Sequence, residues 1–167
     1  ASYNPATNRS QVIATSLDAR EISGVNDLEA DSQGNIYGGT IDLESFETGE
    51  PAKPGILFKM DASGSVTELG PVATPNGMAF STDGAVLYLS ESGEGVFTYD
   101  VRADGTLENR TQLVALEDSD GLALDQSGGV WVARYMCNEL VCYGADGSSK
   151  RVLNMPYNSV SSLVFGG

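Results

Sequence analysis

Short apolar runs at 36–37, 57–58, 86–89, 96–99, 130–132 and 140–143 are rich in β-branched and aromatic residues and sit within period-two patterns. They predict a succession of short strands. Between them lie the triplets SQG, ASG, TDG, ADG, QSG and ADG. Glycine accepts the positive φ of a tight turn, and Asp or Ser can bond the turn backbone, so each triplet predicts a hairpin. No stretch combines helical apolar spacing with a start cap and a stop signal over three turns, so no helix is expected. The longest segment outside the strand pattern, IDLESFETGEPAKPG, contains Pro51 and Pro54 and reads as a loop.

The strands fall into a repeat. NDLEADSQGNIYGG, NGMAFSTDGAVLYLS and DGLALDQSGGVWVA begin at Asn26, Asn76 and Asp120, 50 and 44 residues apart. A second hairpin follows each one: ILFKMDASGSVTEL, VFTYDVRADGTLEN and LVCYGADGSSKRVL. Four short strands per repeat, at a period of roughly 40–50 residues, predict an all-β chain of β-propeller blades, each of four antiparallel strands. Three complete blades are expected, over residues 26–74, 75–118 and 119–155. Residues 1–25, with the run QVIATSL, read as the outer strand and linker of a preceding blade. Residues 156–167, with SSLVFGG, read as the first strand of a following one. Blades cannot bury their faces alone, so either the chain is part of a longer protein or self-association completes it.

Charge narrows the partners. Twenty-three acidic residues against nine basic ones give a net charge of −14, which argues against nucleic acid and anionic membrane. No apolar run approaches the ~18 residues of a membrane-spanning helix. Histidine is absent, which removes the commonest general base and the usual zinc ligand. The two cysteines, Cys137 and Cys142, are out of register for a bridge across their hairpin. As free thiols they favour a reducing compartment such as the cytoplasm.

Asn26, Asn76 and Asp120 head their repeats at the same register, and rotation from blade to blade would bring them together at a central channel. Two readings are open. Asn and Asp tolerate turn geometry and recur before strands for that reason. Alternatively, two amide oxygens and one carboxylate form an oxygen-only site, suited to Ca²⁺, Mg²⁺ or Mn²⁺ and tolerated by Zn²⁺. Such a cation polarises an ester carbonyl, while Asp120 serves as base or as metal-bound carboxylate. Tyr37, Tyr88 and Trp131 read as inter-blade core, and Asp31, Ser81 and Asp125 as turn closers. Glu91 is placed near the channel mouth.

The segments VNDLEADSQGNIYGGT, PNGMAFSTDGAVLYLSES and SDGLALDQSGGVWVARY, with the closing FGG, resemble the SMP-30/gluconolactonase/LRE-like, or regucalcin-like, family. That resemblance implies a six-bladed propeller of which this chain is the central part, and hydrolysis of small sugar-type lactones. It implies a divalent cation held by a first-blade glutamate together with Asn76 and Asp120. It also implies that Asn26 contacts substrate or a metal-bound water and that Glu44 contacts sugar hydroxyls. Gly24 stands where some members carry a substrate-contacting arginine, and the blade that would supply the glutamate precedes this segment. A related metal-dependent esterase or phosphotriesterase, or a non-catalytic calcium-binding propeller module, is the alternative.

Overall fold

The computed structural model describes residues 1–17 and 20–166. Asp18 and Ala19 in the leading segment, and Gly167 at the end of SSLVFGG, lie outside the described residues. Two small hairpins come first: β1 (Ser2–Asn4) with β2 (Arg9–Gln11), then β3 (Ser16–Leu17) with β4 (Arg20–Glu21). The run QVIATSL is therefore split, since Gln11 ends one strand and Ser16 begins the next.

Three four-stranded sheets follow. The first comprises β5 (Gly24–Ala30), β6 (Ile36–Ile41), β7 (Gly55–Met60) and β8 (Val66–Val72). The second comprises β9 (Pro75–Phe80), β10 (Val86–Glu91), β11 (Gly95–Val101) and β12 (Leu107–Ala115). The third comprises β13 (Ser119–Leu124), β14 (Val130–Arg134), β15 (Glu139–Tyr143) and β16 (Ser149–Asn154). Within each sheet, strands pair antiparallel in chain order. The glycines of the six predicted turns all adopt φ between 72° and 85°. Asp31 Oδ1 accepts from the N–H groups of Gln33 and Asn35, both at 2.9 Å, and Asp125 Oδ1 accepts from Ser127 and Gly129 at 2.8 and 2.9 Å. Ser81 Oγ accepts from the Val86 N–H at 2.9 Å, so all three residues close turns.

Two local expectations change. A helix, α1 (Leu43–Thr48), interrupts the loop between β6 and β7. At six residues it is too short to show helical periodicity. Its stop signal is present, however: Gly49 adopts a left-handed φ of 74° and its N–H donates to Ser45 O at 2.9 Å. The second change lies at 155–166, where no strand forms. That segment instead runs beside the start of β13, with the Gly121 N–H donating to Ser161 O at 2.8 Å.

The sheets stack face to face. Tyr37 and Leu57 of the first meet Met78, Leu87, Leu89, Phe97 and Tyr99 of the second. Tyr88 and Val96, on the second sheet's other face, meet Leu122, Val130, Val132 and Val141 of the third. Alternation along each strand supplies both faces, as a sheet buried on two sides requires. Trp131 points away from this stack, packs edge-on against Phe165 and donates its Nε1–H to Asp125 at 2.9 Å. Leu17 packs on Ile56 and Phe58, on the remaining face of the first sheet. Cys137 and Cys142 are free thiols.

Glu91 is not at the channel mouth. Its carboxylate is 1% exposed and pairs with Arg110 at 3.0 Å. It also accepts from the Tyr99 hydroxyl at 3.3 Å and the Ala73 N–H at 3.1 Å. Arg110 lies over the Phe97 ring, its guanidinium carbon 3.5 Å from the ring centroid. A buried carboxylate needs such partners, and here they brace the loop from β8 to β9.

Candidate functional site

The first strands of the three sheets, β5, β9 and β13, lie side by side, with β9 touching both neighbours. Glycine allows the approach between β9 and β13. A Cβ on Gly77 would stand 2.2 Å from the Leu122 nitrogen, inside the distance that any side chain tolerates. A Cβ on Gly121 would likewise meet Ser161 O at 2.6 Å. With the backbones this close, the residue before each glycine turns into a shared space. Asn26, Asn76 and Asp120 all line one cavity of about 640 Å³.

The two amides are oriented by their nitrogens. Asn26 Nδ2 donates to Pro75 O at 2.9 Å, and Asn76 Nδ2 donates to Ser92 Oγ at 3.1 Å. Among the described residues no protein group donates to either Oδ1, so both amide oxygens remain available beside the Asp120 carboxylate. Burial raises the pKa of Asp120 above the ordinary carboxylate value, and the charge of Asp27 adds to the shift. The Asn76 amide and the Gly121 N–H act in the opposite direction. Glu50, Glu117 and Asp118 also line the cavity, and among the described residues no lysine or arginine does. Asp118 is held from behind by Arg134 Nε at 3.0 Å.

This donor set fits a hard divalent cation and not a soft one. Among the described residues no group of three His, Cys, Asp or Glu side chains is placed to hold a metal ion. Any cation here would therefore draw on amide oxygen as well as the Asp120 carboxylate, with further oxygens from water or elsewhere.

Glu44 is not brought to this cavity. It lies on α1, lines a separate hollow of about 660 Å³, and approaches Lys53 at 3.8 Å with both side chains exposed. Other residues of the same long loop, Ser45, Glu50 and Ala52, do reach the cavity that holds Asn26. Sequence reasoning passed over Ser92, Tyr135 and Met136, which come from the hairpins after the second strands and close the cavity's rim. The register offered a signal, since each follows a second strand as the α1 loop does. Asp27 stands in the first repeat where Gly77 and Gly121 stand in the others, and its influence on Asp120 arises only from the fold.

Four-stranded antiparallel meanders stacked on one another, with their first strands gathered about a polar cavity, define β-propeller architecture. The chain belongs to the SMP-30/gluconolactonase/LRE-like family, whose model matches residues 1–167. It is similar to a pentonolactonase of Haloferax volcanii, at 32% identity over 85% of this chain and 49% of that protein. It is also similar to an L-arabinolactonase of Azospirillum brasilense, at 30% identity over 74% of this chain and 42% of that protein. The chain thus spans about half the length of the curated relatives it matches. Among solved structures, a gluconolactonase from Xanthomonas campestris superposes with a TM-score of 0.81 at 21% identity, over 97% of this chain and 57% of that one.

Proposed function

We propose that this chain carries the central part of a divalent-cation-dependent sugar lactonase, with Asn76 and Asp120 as cation ligands, Asn26 as a substrate or water contact, and Asp120 as base. The observation that carries this reading is the meeting of two free amide oxygens and a carboxylate of raised pKa in one acidic cavity. The lactonase names of the two relatives supply the substrate class. We also propose that the three sheets are blades divided at 26–74, 75–118 and 119–155. Glu44, on the neighbouring hollow, is left out of the site.

A bound Ca²⁺, Mg²⁺ or Mn²⁺ would polarise the lactone carbonyl and stabilise negative charge on its oxygen. The chain's own groups do the rest. Asp120 accepts a proton from the attacking water as that water's oxygen bonds to the carbonyl carbon. The ring C–O bond then breaks, and the departing alkoxide takes the proton that Asp120 holds, which restores the carboxylate. Burial and the charge of Asp27 raise the pKa of Asp120 in the cation-free chain, and a cation bound to its carboxylate would act against that shift. Asn26, fixed through Pro75, holds its oxygen towards the space that water or a sugar hydroxyl would fill.

The test is a calorimetric titration of Ca²⁺ and Mn²⁺ into the 167-residue chain, alongside hydrolysis of a pentonolactone and of glucono-δ-lactone. Micromolar or tighter cation binding, abolished in Asp120→Ala and weakened at least about tenfold in Asn76→Ala, is expected. Failure of the chain to bind any cation would overturn the reading. Binding without turnover would favour the non-catalytic alternative for this chain.

A further inference from the structure

We propose that Ser92 is a positioning residue that, together with the Asp120 carboxylate, sets which end of the Asn76 amide faces the cavity. Ser92 lies in the turn after β10, and its N–H donates to Thr74 O at 2.9 Å, two residues before Asn76. Its hydroxyl has a single proton. The Ser119 carbonyl, which can only accept, takes that proton at 2.7 Å. Towards Asn76 the Ser92 oxygen therefore offers lone pairs alone, and only Nδ2 can answer it, as it does at 3.1 Å. Turned over, the amide would set Oδ1 against those lone pairs, losing a hydrogen bond and gaining repulsion.

The relay spans two sheets. A backbone carbonyl of β13 sets the direction of a hydroxyl beyond β10, and that hydroxyl sets the direction of a side chain on β9. Ser119, one residue before Asp120, is nearly inaccessible, and its own hydroxyl donates to Gly95 O at 3.2 Å. The reference carbonyl is thus tied to the strand that carries the carboxylate. Asn26 needs no relay, because Pro75 O accepts from its amide directly.

The orientation stands on this geometry alone, whereas its consequence for a cation rests on the proposed function, so the test reads the two separately. In the cation-free 167-residue chain labelled with ¹⁵N, hydrogen exchange of the Asn76 side-chain amide is expected to be slow in the wild type and in Ser92→Thr. In Ser92→Ala it should quicken several-fold, in keeping with one lost hydrogen bond of about 1 kcal/mol. Equal exchange in wild type and Ser92→Ala overturns the proposal. A Ca²⁺ titration then follows. Ser92→Ala should weaken binding about tenfold or more, as loss of an orienting partner does, and Ser92→Thr should restore it. In an Asn76→Asp background both ends of the side chain are oxygen, so adding Ser92→Ala should change the affinity little. An equal penalty in both backgrounds would mean that Ser92 acts on the fold and not on amide orientation, and would overturn the proposal. A protected amide in a chain that binds no Ca²⁺ supports the orientation and defeats the proposed function instead.

Discussion

Leu28, Met78 and Leu122 occupy the same place in three repeats, two residues after Asn26, Asn76 and Asp120, yet Leu28 is 54% exposed while Met78 and Leu122 are 4% and 6% exposed. The strands that carry the latter two have identical burial patterns, whereas β5 is open along its length. The difference lies in the neighbour. Met78 is covered by Tyr37 and Leu57 of the sheet before it, and Leu122 by Tyr88 and Val96 of the second sheet. Among the described residues Leu28 has only the leading segment on that side, and with Ile36, Phe58 and Met60 it lines an apolar hollow of about 280 Å³. Burial in this fold is a property of pairs of sheets, not of the repeat itself.

The largest effect expected from this contrast is in the core. Met78→Ala should cost about 2–5 kcal/mol, because the removed atoms leave a space between two packed sheets. Leu28→Ala should cost less than about 1 kcal/mol. Urea midpoints at unchanged slope would measure both, and equal losses would refute the contrast. The glycine positions come next. Gly77→Ala forces a methyl onto the Leu122 backbone and should cost about 1–3 kcal/mol. Asp27→Ala, at the matching place in β5, should stay within about 0.5 kcal/mol. The same denaturation series decides it.

The smallest effect concerns a feature on which the two regions should agree. Burial works against the Asp31 carboxylate, but hydrogen bonds from Asn35, Gln33 and Gly34 hold its pKa below the ordinary value. Asp125 is held lower still by the Ser127 hydroxyl, the Trp131 indole and the Gly129 N–H. A depressed folded-state pKa contributes stability above the unfolded value, near 3.9, and that contribution is lost as pH falls through the folded value. Asp31→Ala and Asp125→Ala should therefore both lower the urea midpoint at pH 7, and both differences from wild type should shrink towards pH 2. A difference as large at pH 2 as at pH 7 would show that the turn bonds do not depend on the charge; Asp125, held the lower of the two, should retain the larger share of its difference at pH 2.

Turn chemistry and strand period were legible in the sequence because both are local: six glycine turns and the runs between them need no knowledge of the fold. Asn26, Asn76 and Asp120 could be brought to one place by register alone. Glu91 and Ser92 could not be read this way, since adjacent residues in YLSES have opposite fates that only the partner strands decide. One is buried against Arg110, and the other turns towards Asn76. Helix α1 escaped because six residues carry too little periodicity, and Glu44 was placed by loop spacing that a helix reorients.

The turn between the third and fourth strands of the second sheet is fastened to the first. Tyr37 donates to Gly105 O at 3.0 Å, and Lys59 reaches Asp104 O. The matching turn of the third sheet brings Gly147 against Leu113 of the second, where a Cβ would stand 2.3 Å from the carbonyl oxygen. The second and third sheets are thereby mounted on each other at two ends, by the glycine approach near the cavity and by this outer turn, while the first and second are joined by the Asn26–Pro75 hydrogen bond near the cavity and by the outer turn. Such a mounting resists rocking of one sheet against the next, so oxygen atoms contributed by separate sheets keep a constant spacing without any loop having to close over them.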